Sequence, residues 1–539
     1  MPLRSFRYVV GIASLVFFLV WGLTRPVHPK NDLLRIRIVD AVTHKPVPAQ
    51  ITFLKESGEA LAFGNIIDRP GWSQGRSAQL FGHGVLAFAH GLALWNGEGS
   101  VPVGKPYVFP NPFQSGDFTT VLEPISYRIV VSRGIEYDTH EETIDLSRTR
   151  SLNVALRRSV DTTGYRSADF HVHSSPASPD AGAPGRNQVI LAATTGLELL
   201  MSADHDRLTD FSPIIRGLWP RTTMAPLAGL VGVEVASIGS HFTGLLREAA
   251  DEATFLAAFA KLPIADPSQY FEGFANLPGR PWISMAHGRM AYGGYMRSAH
   301  CGPWVTGDRT LPPPCNQNFP AMEILNGWSV CGSLLRETID DWYRMLELGM
   351  VHTGTAVSDS HFSSGIVVGT PRTFVRIDDT KLYSVSTDAV VAALSSQKAI
   401  VTTGPFITVQ MGELREGDIH RGAVNSANVR VRVQAANWID VDEVNLRVGG
   451  KIVKQWNVQR TPRTAFSQIF ETRVGPISTD SFITAEAQGS DVLPIYQVGV
   501  YNYDSAWGKD KCPPLPGQPA GTVPFAVTNP IFVDVAPAP

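Results

Sequence analysis

The sequence predicts an α/β protein in which a middle region of alternating strands and helices lies between two β-rich regions. Three observations carry this expectation. Between residues 164 and 405, short apolar runs alternate with segments of helical periodicity, the pattern of βα units closing into a sheet or barrel. Residues 34–160 and 406–539 instead show short alternating runs broken by turn residues, which read as β-sandwich-like domains. The 48 glycines and 39 prolines suit loop-rich β-domains better than helical bundles. A chain of 539 residues is also too long for a single core, so roughly two to four domains are expected.

At the N-terminus, Arg4 and Arg7 precede an uncharged, apolar-leaning run over residues 8–23. That length fits a signal h-region or a slightly short membrane span. No small-x-small cleavage site follows it. Residues 1–30 are therefore expected to be an uncleaved signal-anchor, with a cleaved signal peptide as the alternative. Either exports the remainder to the periplasm or another extracytoplasmic space, where Cys301, Cys315, Cys331 and Cys512 have room for one or two disulfides. Their connectivity stays open, and the absence of a CxxC spacing disfavours a zinc knuckle.

In the first β-region, "LRIRIVDAVTHKPVPAQITFL", "ISYRIVVSRG" and "RSLNVALRRS" are the plainest strands, and the Gly/Phe-rich residues 62–120 read as long loops or an insertion. In the middle region, "DEATFLAAFAKL", "LLRETIDDWYRMLELG" and "STDAVVAALSSQ" read as helices, the last closing a βα unit that ends at "AIVTTGPFI". Beyond it, "ANVRVRVQAAN", "VDEVNLRVGGK" and "DSFITAEAQGS" read as strands, and the tail from Lys509 as an extended Pro-rich segment. Lys and Arg total 46 against 49 Asp and Glu, with no basic run, which argues against a nucleic-acid partner and leaves a small-molecule substrate.

Eight of the 14 histidines fall between residues 171 and 361, so the middle region is where chemistry is expected. In "ADFHVH", strand periodicity puts Asp169, His171 and His173 on one face, with Phe170 and Val172 on the other. An isolated HxH is weak, because a half-exposed strand carries incidental histidines. Here four further apolar runs end near metal-type ligands: "LELLMSADHD" at His205, "LAGLVGVEV" at Glu234 with His241 following, "PWISMAHGR" at His287, and "MVHTGTAVSDSH" at Asp359 and His361. Strand C-terminal ends are where βα barrels assemble active sites. Imidazoles and carboxylates are costly to bury together unless a partner such as a divalent cation neutralises them.

The ordered set "DFHVH", "SADHD", "GVEV", "SHF", "AHGR", "SDSH" resembles the polymerase-and-histidinol-phosphatase (PHP) superfamily of metallohydrolases. Flanking "MEILNGW", "VSDSHFSS", "GTPRTFV", "AIVTTGPFI" and "VTNPIFVDV" are similar to its exported carbaryl-hydrolase-like (CehA/McbA) branch. The opening "RIVDAVTHKPVPAQITF" also resembles transthyretin-like or carboxypeptidase-regulatory-like modules, on a less specific pattern. The PHP resemblance implies a distorted βα barrel flanked by N- and C-terminal β-sandwich-like domains and holding two or three divalent ions, zinc, manganese or iron. It implies that His171, His173, Glu234 and Asp359 hold a first ion, that Glu234 bridges to a second held by His241 and His287, and that His205 and His361 take any third. The superfamily often has another histidine shortly after HxH. This chain reads "HSSPASPDAG", so Asp180 is the candidate substitute, and a two-ion site stands beside a three-ion one.

Asp169 is expected to orient a ligand histidine, and Asp204 and Asp206 to support ligands or cap a helix. Arg289 is a candidate for holding a substrate oxygen, with a surface ion pair as the alternative. His300 and His352 read as structural, as does Glu323 in preference to a substrate-facing role. His83 and His90 carry no role. No G-x-S-x-G elbow surrounds Ser175, Ser358 or Ser360, which disfavours a nucleophilic serine. The expected chemistry is attack by a metal-bridged hydroxide on an ester or carbamate, with Glu234, Asp359 and Arg289 in the catalytic set. A PHP-type phosphoesterase and a non-catalytic exported binding protein are the rival readings. Few cations accompany the motifs (Arg207, Arg289 and Arg372), which favours the ester.

Overall fold

A computed structural model describes residues 33–535 apart from 62–83, 89–90, 105–107, 111–116, 120, 222–224, 237–239, 249, 260–267, 291–292, 299–315, 331, 364–365, 378–381, 383–384 and 499–520. The four cysteines, residues 8–23, His83, His90 and His300 lie outside the described residues, with the disulfide and anchor expectations that rest on them. Among the described residues no helix is long and apolar enough to cross a membrane.

In the first β-region, Leu33–Asp40 alternates buried Leu34, Ile36 and Ile38 with exposed arginines, as a strand with one wet face must. It pairs in parallel with Ser151–Leu156 and antiparallel with Glu98–Pro102. A second, five-stranded sheet centres on Ala49–Leu54, between Gly91–Leu94 and Ser126–Ser132. Leu34, Ile36, Ile51, Phe53, Ile129 and Val154 share one core between the two sheets, the layered arrangement expected of a sandwich. The segment read as loop or insertion differs. Val85–Phe88, Gly91–Leu94 and Glu98–Pro102 are strands. Their glycines mark close approach, since a Cβ on Gly91 would collide with the Ile51 carbonyl oxygen.

The middle region is mixed α/β. The helices Glu252–Phe259, Gly332–Glu347 and Thr387–Ser395 form where periodicity places them, the last capped by Ser386 Oγ accepting from Ala389 N. Its strands do not close into one continuous ladder among the described residues. Leu199–Ser202, Tyr165–Val172, Arg372–Arg376 and Ala399–Thr402 are neighbours in an 11-stranded sheet. Gly232–Val235, Phe242–Leu245, Trp282–Met285, Ala321–Asn326 and Thr353–Val357 form a separate five-stranded sheet. The chain changes sheets at Val231, and the single bridging pairs His205–Glu234, Thr209–Gly232 and Val172–Ser360 join the two. Phe242–Leu245 and Arg372–Arg376 run antiparallel to their neighbours, which breaks the all-parallel pattern of a regular barrel.

The 11-stranded sheet also runs across residue 405. Ala399–Thr402 pairs with Phe525–Thr528, which pairs with Ser481–Gln488, which pairs with Glu443–Val448. Phe406–Met411, Ala427–Ala435 and Phe466–Val474 build a second sheet against it. Phe374 and Ile400 accordingly share a core with Val431 and Ile483.

Candidate metal centre

Most ligand candidates lie in or just beyond the end of a strand, while Asp180 lies in the loop between Tyr165–Val172 and Gly185–Thr194. His171 lies in Tyr165–Val172 and His173 follows it. Glu234 lies in Gly232–Val235, while His205, His287 and Asp359 follow Leu199–Ser202, Trp282–Met285 and Thr353–Val357. His241 departs from the expected pattern, since it precedes Phe242–Leu245. Because that strand is antiparallel to both Gly232–Val235 and Trp282–Met285, its beginning lies beside their ends. The backbone is strained here. His287 and Asp359 have φ of 28° and 54°. Such left-handed non-glycine residues persist only where their surroundings hold them, and they concentrate at functional sites. A register irregularity between Asp169 and Val172 also disturbs the ladder beside HxH.

The nine candidates converge. Glu234 is central: its Oε2 lies 3.4 Å from the Nε2 atoms of His171, His173 and His205. Its Oε1 lies 3.0 Å from His241 Nδ1 and 3.2 Å from His287 Nε2. Asp359 Oδ1 is 3.1 Å from His173 Nε2 and 3.4 Å from His171 Nε2. On the outer side, Asp180 Oδ2 stands 3.1 Å from His205 Nε2 and 3.2 Å from His361 Nε2. Asp180 is thereby brought together with His173, His205 and His361. Three ligand groups result: His171–His173–Glu234, His205–Glu234–His241, and His173–Asp180–His205–His361.

The donor set fits divalent cations. His171 Nδ1 faces Glu323 Oε1 at 2.7 Å, and His361 Nδ1 faces the Asp359 carbonyl at 2.9 Å; both partners can only accept, so both Nδ1 atoms carry the proton. Ser178 spends its hydroxyl proton on Asp180 Oδ1, so it accepts from His173 Nδ1 at 3.2 Å. In their neutral forms all three rings therefore turn Nε2 lone pairs inward, and those of His171 and His173 meet at 3.0 Å. Two lone pairs at that distance repel unless a cation or proton lies between them. Asp359 Oδ1 is buried and accepts no hydrogen bond among the described residues. The 3.0–3.5 Å spacings are the edge lengths of ligands about 2.1 Å from a tetrahedral ion, which is roughly 3.4 Å.

The electrostatics state the same demand. Burial opposes charge on His171, yet Asp359, Glu323 and Glu234 outweigh it and hold its pKa well above the usual imidazole value. Burial likewise opposes charge on His205, but Glu234 and Asp180 raise it to about 9. His173 goes the other way, pushed down to about 3 by burial and by His361. Against burial, the surrounding imidazoles hold Glu234 and Asp359 well below the carboxylate range. The carboxylates require positive charge, which protons supply when no cation does.

The supporting residues differ in part from expectation. Asp169 orients no imidazole: its carboxylate accepts the backbone N–H groups of His171, Ser358 and Gly369, tying the two ligand-bearing strands together. Asp204 receives Ser174 N and Oγ, and Asp206 receives Ala236 N. Arg289 is clasped by Asp341 at 2.5 and 3.0 Å and by Glu337 at 2.5 Å, so its fork already faces two carboxylates on Gly332–Glu347. Arg372 is fully buried on Glu136 of the first β-region, at 3.1 Å. His352 is structural as expected, bonded to the Phe319 carbonyl and Gln317. Ser178 was not anticipated. A serine within a polar loop carries no local signal that its hydroxyl will meet His173.

No family model matches the chain, and no curated protein matches it. Among solved structures, it is similar to a two-domain Bacteroides vulgatus protein containing a predicted PHP-like metal-dependent phosphoesterase, at 14% identity, TM-score 0.33, over 61% of this chain and 92% of that one. An amidohydrolase from Chromobacterium violaceum aligns at 15% identity, TM-score 0.22, over 36% and 87%. Likeness at that level assigns neither family nor activity, and the functional reading is carried by the ligand cluster itself.

Proposed function

We propose that this chain is a metal-dependent hydrolase of the PHP type, in its carbaryl-hydrolase-like branch, acting outside the cytoplasm on a small carboxyl ester or carbamate. One observation carries the hydrolase reading: Glu234 divides its two buried oxygens between imidazole sets, His171, His173 and His205 on one side and His241 and His287 on the other. His171, His173, Glu234, Asp359, His241 and His287 would hold two divalent ions, and Asp180, His205 and His361 a third. Such ions supply Lewis acidity and lower the pKa of a water they bind from 15.7 towards about 7.

The chain's residues determine where that chemistry takes place. Glu234 and Asp359 are nearly fully buried and keep their charge out of bulk water. The open flank is formed by Asp180, His205 and His361, with side-chain exposures of 42%, 13% and 10%, and this is where substrate reaches the cluster. Two of the three cations near the motifs support a neutral acyl substrate over a phosphoester, because Arg289 and Arg372 are engaged by carboxylates, while Arg207 is exposed two residues from His205 and is the cation a phosphate substrate would use. The test is metal analysis combined with hydrolysis of an aryl ester, an aryl carbamate and an aryl phosphate. Bound metal with ester or carbamate turnover that chelation abolishes is the expected result. Preference for the phosphate would favour the phosphoesterase, and bound metal with no turnover a binding protein.

A further inference from the structure

Glu323 lies behind the ligand cluster, 1% exposed, and both of its oxygens are engaged. Oε1 accepts from His171 Nδ1 at 2.7 Å. Oε2 accepts from the backbone N–H of His287 at 3.0 Å and from Asn326 Nδ2 at 2.8 Å. The same Asn326 nitrogen reaches Asp359 Oδ2 at 3.2 Å, while Asn326 Oδ1 accepts from Trp328 N at 2.9 Å and so fixes how the amide is turned. One buried carboxylate is thereby joined to the ring of one ligand, the backbone of a second and, through an amide, the carboxylate of a third.

We propose that Glu323, assisted by Asn326, is a positioning residue that sets His171, His287 and Asp359 for cation binding. The inference rests on the metal-dependent hydrolase reading of this site. Glu323 keeps the proton on His171 Nδ1, which leaves Nε2 facing the cluster as a lone pair, and its negative charge raises the basicity of that ring. The carboxylate is required because three donors converge on it from two sides. A glutamine that offers its oxygen to His171 turns its NH₂ against the His287 N–H and the Asn326 NH₂. The opposite orientation sets NH₂ against His171 Nδ1–H, and relieving that contact moves the proton to Nε2 and removes the ligand lone pair.

The test uses the full chain with Co²⁺ and Zn²⁺ as probes. Affinity is measured by competition with a chelator, stoichiometry by metal analysis, and ligand geometry by the visible absorption of the Co²⁺ form. Glu323→Gln is expected to weaken the tightest site by about 10- to 100-fold and to alter the Co²⁺ bands. Asn326→Ala is expected to change both in the same direction by less, and Glu471→Gln, in an exposed pair with Arg430, to match wild type. A Glu323→Gln protein with wild-type affinity and spectrum overturns the inference while leaving the hydrolase reading intact. Should that variant not fold, Asn326→Ala decides by the same two readouts. A wild-type chain that binds neither ion overturns the metal reading and this inference with it.

Discussion

Replacing Glu234 with glutamine keeps the side chain's shape and removes one negative charge from the middle of the cluster. The carboxylate stands 3.0–3.4 Å from five imidazole nitrogens, so any cation held by those nitrogens is close to it as well. A unit positive charge only as near as those nitrogens, 3.4 Å, already interacts with the carboxylate by about 5 kcal/mol at an effective dielectric constant of about 20, a lower bound for a cation lying between them. Since about 1.4 kcal/mol is tenfold, this corresponds to between three and four decades. The amide keeps its dipole but must turn NH₂ towards one imidazole set, so a loss of about 10³-fold in kcat/KM is expected, with metal content reduced. Rates on the aryl ester and aryl carbamate and metal per chain are measured on the same preparation. A Glu234→Gln protein with full metal and wild-type rates would refute the bridging role and the electrostatic reasoning behind it.

Arg289→Ala should change turnover of a neutral ester by about tenfold or less, yet destabilise the fold by about 3–5 kcal/mol in denaturant unfolding, because Asp341 is left buried without its cation; a phosphate substrate for which this variant is as damaging as Glu234→Gln would reverse the substrate reading. Gly293 has φ +75°, and a Cβ there would lie 2.8 Å from three ring atoms of His241, so Gly293→Ala should lower metal content by displacing that ring, and unchanged content would refute the placement. Burial pushes His352 down to about pH 4 in the fold from 6.5 in the unfolded chain, so the unfolded state binds more protons between these values. Stability therefore falls as pH drops from about 6.5 to 4, by about 3 kcal/mol in all, and His352→Gln should flatten that part of the unfolding profile. Alkaline phosphatase fused after residue 40 should be active and remain with membranes; a soluble active fusion indicates a cleaved signal, and an inactive one refutes export.

What could be read from the sequence was local. The HxH spacing places two imidazoles on one face, and apolar runs ending near His205, Glu234, His287 and Asp359 mark the candidate site, because a strand's period and its end are properties of neighbouring residues. The helices at 252–259, 332–347 and 387–395 were legible for the same reason. The strands at 85–102 were not, because short glycine-bearing runs resemble loops until Ile51 packs against them.

Tertiary structure decided whatever depends on residues far apart in the chain. Asp180 meets His361 across 181 positions, and Glu323 meets His171 across 152. Neither separation has a pattern, since hydrogen bonding depends on distance in space. The clasp of Arg289 by Asp341, the passage of the 11-stranded sheet across residue 405 and the split of the expected barrel into two sheets are likewise pairings between remote segments. The amino-acid order determined which groups could bind a cation. Only the packing of strands decided which of their atoms face one another, because burying these charges is tolerable solely where their partners have been brought within about 3 Å.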